Sequence, residues 1–334
     1  MKKSRFSTIA ALLLLLPLAG CRKEQVFDGP SLEDLNKPFA LLQPFAANKD
    51  SVAFGNKELV SFTAKFNKTV QWHIHIRGLV SKAHKVISGQ GNEIAAPAGL
   101  WNGSTTYFPM FTEEPCTATL RIDGLSDSFS LPVKIKSVKK NPGLLLSDFE
   151  NGINGMWRRF VQSGASMDLA TKQDSLAPQG NGYLNMAGTV SWDWLTVLLD
   201  IPAIPYGGAV LPLNSNPDAV YFNCLIYGVP NTNPSLVLFQ FKEDDNKDGN
   251  FNPNTEDQYD LQVNVNWSGW KLVSMKYSDI VSLSNGQPTT PKGDSKHNPD
   301  KISVISMLHL ADPKGGFANT KVDYLCFTST PLEP

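Results

Sequence analysis

Helical periodicity is almost missing from this sequence. Outside "SLEDLNKPFALL", which holds at most one short turn, no stretch repeats its apolar residues at helical intervals. That excludes a helical bundle and an alternating α/β domain. Charge excess is missing too. The net charge is −1, 18% of residues are charged, and no block of one sign occurs. A nucleic-acid partner, which needs a basic face, is therefore not expected. Cysteine is scarce, with four residues in 334. Setting Cys21 aside leaves Cys116, Cys224 and Cys326, so at most one disulfide can form. Cys224 and Cys326 lie in apolar, strand-like runs and read as buried free thiols, with a 224–326 bridge as the alternative. Catalytic signatures are lacking as well: there is no G-x-S-x-G elbow, no H-E-x-x-H and no glycine-rich phosphate loop. Asp193, Glu243 and Asp260 could supply the two carboxylates of a glycosidase, but no sequence feature pairs them.

The conspicuous apolar run stands at the N-terminus, "MKKSRFSTIAALLLLLPLAGC". Basic Lys2, Lys3 and Arg5 precede an apolar stretch from Ile9 to Leu16, and small residues precede Cys21. This is the layout of a secretory signal over residues 1–20, and it falls short of the roughly 20 apolar residues of a membrane span. Leu18-Ala19-Gly20-Cys21 resembles the lipobox of bacterial lipoproteins. That resemblance implies cleavage before Cys21 and acylation of its thiol and new amino group. Several acyl chains anchor stably where one holds marginally. Residues 21–38 are polar and turn-rich and read as a tether. Lys23-Glu24 resembles the charged residues that follow the anchored cysteine in surface-exported lipoproteins, which implies a lipid-anchored, surface-exposed position at the outer membrane.

The remainder reads as all-β. From 39 to 140, "SVAF", "ELVSFTAKF", "VQWHIHIRGL", "HKVISG", "TTYFPMF", "TATLRIDG" and "SFSLPVKIKSV" are strand-like. Seven strands in about 100 residues fit an immunoglobulin-like sandwich. "VKKNPG" marks a boundary. From 144 to 330, nine or so strands over about 185 residues suit a larger jelly-roll β-sandwich.

Alternation along these strands assigns faces. In "WDWLTVLLD", Leu195, Val197 and Leu199 share an aliphatic face, leaving Trp192, Trp194, Thr196 and Leu198 outside. In "YFNCLIYG", Phe222, Cys224 and Ile226 read as core and Asn223 as outer; in "LVLFQFK", Val237, Phe239 and Phe241 read as core and Gln240 as outer. Outer faces rich in aromatics and amides suit sugars, whose C–H faces stack on Trp and whose hydroxyls bond amides and carboxylates. Trp192 and Trp194 are the expected stacking platform, with Asp193, Asn223 and Gln240 as hydroxyl partners. Successive strands often lie in opposite sheets, so these faces are not expected to meet at one site. The two tryptophans could equally cover a sheet edge or the chain's own loops.

Two further patterns concern metals. In "EDDNKDGNFNPNTED", Asp244, Asn246, Asp248 and Gly249 fit positions 1, 3, 5 and 6 of a calcium loop, but position 12 is Thr255 and Glu256 comes one place late. "WHIHIRG" puts His73 and His75 on one face, with no third zinc ligand signalled nearby.

The opening "DFE", the later "GYLNM" and "GWKLVSMKYSDI", and the final "VDYL" resemble galactose-binding-like jelly rolls, the fold of many carbohydrate-binding modules. In such modules a structural calcium joins the first and last strands, which implies Glu150 and Asp323 as ligands here. Trp157 and Trp270 occupy positions that look structural by analogy with that fold. With its lipobox and immunoglobulin-like spacer, the chain also resembles surface glycan-binding proteins of polysaccharide-uptake systems. The resemblance implies capture of polysaccharide or oligosaccharide without catalysis or a required cofactor, for handover to an outer-membrane importer. A structural or adhesive protein gripping a protein partner, and a β-sandwich glycosidase or lyase, are the alternative readings.

Overall fold

The computed structural model describes residues 38–190, 195–229, 235–311 and 316–334. The signal segment, Cys21, the tether up to residue 37, and Trp192, Asp193 and Trp194 lie outside the described residues. Ala40–Pro334 forms one compact unit, and every described strand belongs to it. The described chain is all-β, its only helical elements being 3-10 turns of three residues. No described helix is long and apolar enough to cross a membrane.

The first seven strands are β1 (Leu41–Ala47), β2 (Ser51–Ala53), β3 (Val60–Gly78), β4 (His84–Ile94), β5 (Leu100–Trp101), β6 (Pro115–Ile122) and β7 (Ser128–Ser137). They join in one sheet because β3 bonds to β1, β4, β5 and β6. Two strands are expected where β3 runs unbroken for 19 residues. Val60, Phe62, Ala64 and Phe66 are buried, and so are Trp72, Ile74 and Ile76. The polar Asn67-Lys68-Thr69 between them falls where the β3–β4 register shifts between Lys65 and Val70. A bulge absorbs such residues without ending the strand.

The rest comprises β8 (Gly143–Ser147), β9 (Arg158–Val161), β10 (Ser166–Gln173), β11 (Gly182–Val190), β12 (Leu195–Pro202), β13 (Tyr221–Gly228), β14 (Ser235–Glu243), β15 (Gln258–Val265), β16 (Gly269–Lys276), β17 (Leu283–Ser284), β18 (Gln287–Pro288), β19 (Ile302–Leu310) and β20 (Gly316–Thr328). One sheet runs β10-β11-β20-β13-β16 with β8 beside β20, a second runs β15-β14-β19-β12-β9, and β17 pairs with β18. Leu184, Met186, Phe222, Ile226, Val237, Phe239, Phe241, Val322 and Phe327 meet in the core between the two sheets. The Phe222 ring centre lies 4.8 Å from Phe239, 5.0 Å from Phe241 and 5.4 Å from Phe327. Truncating one such ring to alanine costs about 3–5 kcal/mol.

Cys116, Cys224 and Cys326 are free and buried. Cys224 faces the core, while Cys326 sits opposite outward-facing Asn223, so the two thiols lie on different sides of the sheet and do not bridge.

In β12, Val197, Leu199 and Ile201 enter the core as expected. The alternation breaks just before them: the β12–β19 register shifts between Leu195 and Val197, Leu195 is half-buried, and Thr196 is fully buried. Strict alternation does not run through this bulge toward Trp192 and Trp194, which lie outside the described residues. The Thr196 hydroxyl donates to the His309 carbonyl at 2.6 Å, so its oxygen accepts from His309 Nδ1 at 2.9 Å. That leaves His309 Nε2 buried without a partner among the described residues, and burial lowers the imidazole pKa to about 4.

An unfolded histidine takes its proton near pH 6.5, whereas His309 resists until about pH 4, so the unfolded state binds more protons in between. Stability should therefore fall as pH drops from 6.5 to 4, by about 3 kcal/mol from this residue. Urea unfolding at pH 7, 5.5 and 4 should show a shallower loss in His309→Leu than in the natural chain; equal losses would contradict this role.

Candidate functional site

Across the outer face of the six-stranded sheet, register aligns one row of residues from four strands and the edge of a fifth. Trp270 on β16 faces Tyr227 on β13, which faces Lys321 on β20, which faces Asn185 on β11, which faces Ala170 on β10. Each takes the outer face because its neighbours Ile226, Leu184, Met186 and Val322 take the core. Strands lie about 4.8 Å apart, so Trp270 to Asn185 spans about 14 Å, the scale of a short oligosaccharide.

One end of the row is aromatic. The Trp270 ring meets Tyr227 at 5.3 Å and Tyr183 at 6.0 Å, both edge-on. Trp270 Nε1 donates to the Leu176 carbonyl at 2.7 Å, and the Tyr183 hydroxyl donates to Asp174 at 3.0 Å. The loop after β10 thus orients the rings. Trp270 and Tyr227 stay half-exposed, so part of each ring remains open to solvent.

The other end is polar. Lys321 Nζ donates to Asn185 Oδ1 at 3.0 Å and Asn319 Oδ1 at 3.1 Å, and lies 5.8 Å from the Tyr227 ring centre. Two of the three ammonium N–H groups are used by these amides, and Lys321 and Asn185 are themselves buried, at 9% and 6% exposure. Burial lowers the Lys321 pKa, against the pull of Asp174 and Asp168. Asn185 Nδ2 donates to Asp168 at 3.0 Å, and Asp168 pairs with Lys172 at 3.2 Å. Both charged side chains are about half-exposed and edge the face.

Of the residues singled out in the sequence, Asn223 faces outward from the core but is fully buried. Its Nδ2 donates to Thr328 Oγ1 at 2.8 Å, and its Oδ1 accepts from Ser274 at 2.7 Å. It cross-links β13, β20 and β16 and offers nothing to a sugar, which corrects its expected role. Gln240 lies on the outer face of the other sheet, where it donates to Asp260 at 3.2 Å. The two residues do not meet. Gln240 shares its face with an ionic cluster: Arg158 donates twice to Asp200 Oδ2, and Ser306 bridges Asp200 and Lys242. Glu243 points inward and Asp260 outward from the five-stranded sheet, so these carboxylates do not flank one bond.

Glu150 and Asp323 are near enough for the Glu150 charge to bear on Asp323. Glu150 Oε1 accepts from Asn181 and Gly182 N–H at 2.8 and 2.7 Å. Asp323 is buried, its Oδ2 has no partner among the described residues, and burial, then Asp148 and Glu150, push its pKa up to about 9. The adjoining Phe149 and Tyr324 both adopt left-handed backbone, at φ 55° and 53°, a costly geometry for such residues. In the loop after β14, Asp244 accepts from the Asp248 and Gly249 N–H groups, and Asn246 donates to Asp248. Glu256 accepts from Asn246 and Asn252 N–H, tying the loop's end to its start.

His73 and His75 have a neighbour that sequence spacing could not signal. Strand pairing brings His84 Nε2 to 3.1 Å from His75 Nδ1, while His73 bonds Ser88 and Asp123. Trp157 is a core residue, as expected, whereas Trp270 is not.

No family model and no curated protein matches this sequence. Solved structures resembling it include carbohydrate-binding modules of the β-sandwich superfamily described for promiscuous specificity, at 11% identity over 87% of this chain and 98% of that one, TM-score 0.40. A family 11 carbohydrate-binding module of a cellulosomal cellulase of Clostridium thermocellum is 18% identical over 57% of this chain and 97% of its own, TM-score 0.37. A xylan-binding domain from Paenibacillus barcinonensis is 16% identical over 58% and 99%, TM-score 0.33. At these scores no ligand follows from the likeness.

Asn223→Ala would remove the acceptor of the Ser274 hydroxyl and one of the two hydrogen bonds of the buried Thr328 hydroxyl. Denaturant unfolding should show a loss of about 1–3 kcal/mol, a cost that an exposed ligand-contacting amide would not incur.

Proposed function

We propose that this protein binds polysaccharide or oligosaccharide without catalysis, on the outer face of its six-stranded sheet. The observation that carries this reading is the continuous row Trp270-Tyr227-Lys321-Asn185, which puts open aromatic surface beside oriented donors and acceptors. Rings with few rotamers to freeze give contact area at low entropic cost. Buried hydrogen-bonding groups reject ligands that lack the matching hydroxyl. Trp192, Trp194 and Asp193, outside the described residues, are further sugar contacts in the proposal; Gln240 serves a separate contact on the opposite sheet. A calcium held by Glu150 and Asp323 would join the first and last strands of the sandwich, and Asp244, Asn246 and Asp248 would hold another in their loop.

In this reading the chain is an outer-membrane lipoprotein, tethered by acylated Cys21 and exposed at the cell surface, with the first domain as spacer. It passes glycan to an importer complex. The opposed directions of Glu243 and Asp260 favour binding over glycoside hydrolysis, which needs two carboxylates flanking one bond.

Titration of the purified protein against a polysaccharide panel tests the reading. Trp270→Ala, Tyr227→Ala and Lys321→Met should each weaken the best ligand at least tenfold, about 1.4 kcal/mol, while melting cooperatively. Trp192→Ala and Trp194→Ala measure whether these two tryptophans contribute to binding. Absence of binding across the panel, or folded row variants with unchanged affinity, overturns it.

A further inference from the structure

Glu243 ends β14 on its core-facing side and is fully buried. Its Oε1 accepts from the Tyr277 hydroxyl at 2.7 Å and the Asn298 N–H at 2.8 Å, but its Oε2 has no partner among the described residues. Asp245 and Asp257 converge on it: one oxygen from each of the three carboxylates lies within 4.8 Å of the others. A second, independent group points to the same place. The Tyr259 hydroxyl, on a residue only 2% exposed, also lacks a partner among the described residues. Its ring is fixed 3.9 Å from His297 and 6.1 Å from Tyr277, and its hydroxyl feels the charges of Glu243, Asp257, Asp294 and Asp245.

The local charges do not balance. Lys301 reaches Asp245 at 3.0 Å and Asp294 at 3.6 Å, and the charge of Lys296 also bears on Asp294, two ammonium groups for four carboxylates. The backbone is drawn in around the centre. Asp257 accepts from the Gly293 and Ser295 N–H groups at 2.5 and 2.7 Å, and Asp245 accepts from the Asp257 N–H at 3.1 Å. A Cβ on Gly293 would stand 2.2 Å from Asp245 Oδ2, so that position has no room for a side chain.

Oxygen ligands around calcium lie about 2.3–2.6 Å from the ion, so two on one ion are at most about 5 Å apart; magnesium, at about 2.0–2.1 Å, needs a tighter set. We propose that Glu243, Asp245 and Asp257 hold a calcium ion that joins the two ends of the loop between β14 and β15, onto which the loop before β19 is hydrogen-bonded through Gly293, Ser295 and Asn298. Water completes the shell, and one such water gives the Tyr259 hydroxyl its acceptor. This site is distinct from the Asp244, Asn246 and Asp248 loop positions and from Glu150 and Asp323, and it is independent of the glycan reading.

Isothermal titration of the chelator-treated protein with calcium chloride tests it, using Glu243→Gln, Asp248→Asn and Asp323→Asn. Glu243→Gln keeps an acceptor for Tyr277 and Asn298 and should lose one calcium equivalent, or weaken it at least tenfold. Asp248→Asn and Asp323→Asn should retain that equivalent. Calcium should also protect the loop after β14 from limited proteolysis in the natural chain and not in Glu243→Gln; Asp245→Asn provides the same comparison if Glu243→Gln fails to fold. Titrations of the natural chain and the variant that match in number and affinity overturn the proposal. So does a natural chain that takes up no calcium, where a proton on Glu243 would balance the site instead.

Discussion

Strand β20 pairs with β11 on one side and β13 on the other, so its side chains cannot slip without exchanging core and outer faces. Up to residue 323 its even-numbered positions face in, and Val322 packs in the core. Beyond it the apolar residues change parity, to Leu325 and Phe327. A one-residue bulge absorbs the change. Asp323 faces Leu225 and Cys326 faces Asn223, so three steps on β20 match two on β13. Tyr324, at φ 53°, takes up the extra length. There β20 also passes from β11 to β8. Core closure, the Lys321-Asn185 contact and the placement of Asp323 all depend on this one irregularity.

The outer face of that sheet is divided by the same constraint. Toward β8 its residues are covered: Asn223, Leu225 and Asp323 are fully buried, and their polar atoms must find partners within the protein. Toward the far end of β11 the face opens, and there Trp270, Tyr227 and Asn319 are half-exposed. An outward-pointing residue on this sheet is thus structural or available for binding according to its distance along the strand. Alternation alone does not distinguish the two.

That explains what could be read from the sequence. Period-2 patterns located β13 and β14 and assigned Phe222, Cys224, Ile226, Val237, Phe239 and Phe241 to the core, because a buried face leaves an unambiguous apolar record. They misread Asn223, whose outward direction was taken as exposure. They ran the β12 alternation through Thr196, where a bulge breaks it, and split β3 at a bulge that the strand tolerates. The Trp270-Tyr227-Lys321-Asn185 row was not legible at all. It exists only through register between strands up to 136 residues apart in sequence, and a single strand carries no record of its partner's register. His84 beside His75 was hidden for the same reason.

The buried carboxylates complete the picture, because they share a location and differ in how they are satisfied. β-ladders consume the backbone N–H groups inside a sheet, so an inward carboxylate can find donors mainly at strand ends and loops. Glu114 finds enough of them. Both oxygens accept, from Val80, Ser81 and Thr112 N–H and from the Ser81 hydroxyl, and although burial raises its pKa these bonds hold it below the ordinary value. Glu243 and Asp323 occupy equally buried positions, yet each keeps one oxygen without a donor among the described residues, and burial pushes them up to about 8 and about 9. Burial is common to all three, so it does not separate them. The orphaned oxygen does, and it is the feature that a proton or a divalent cation must complete.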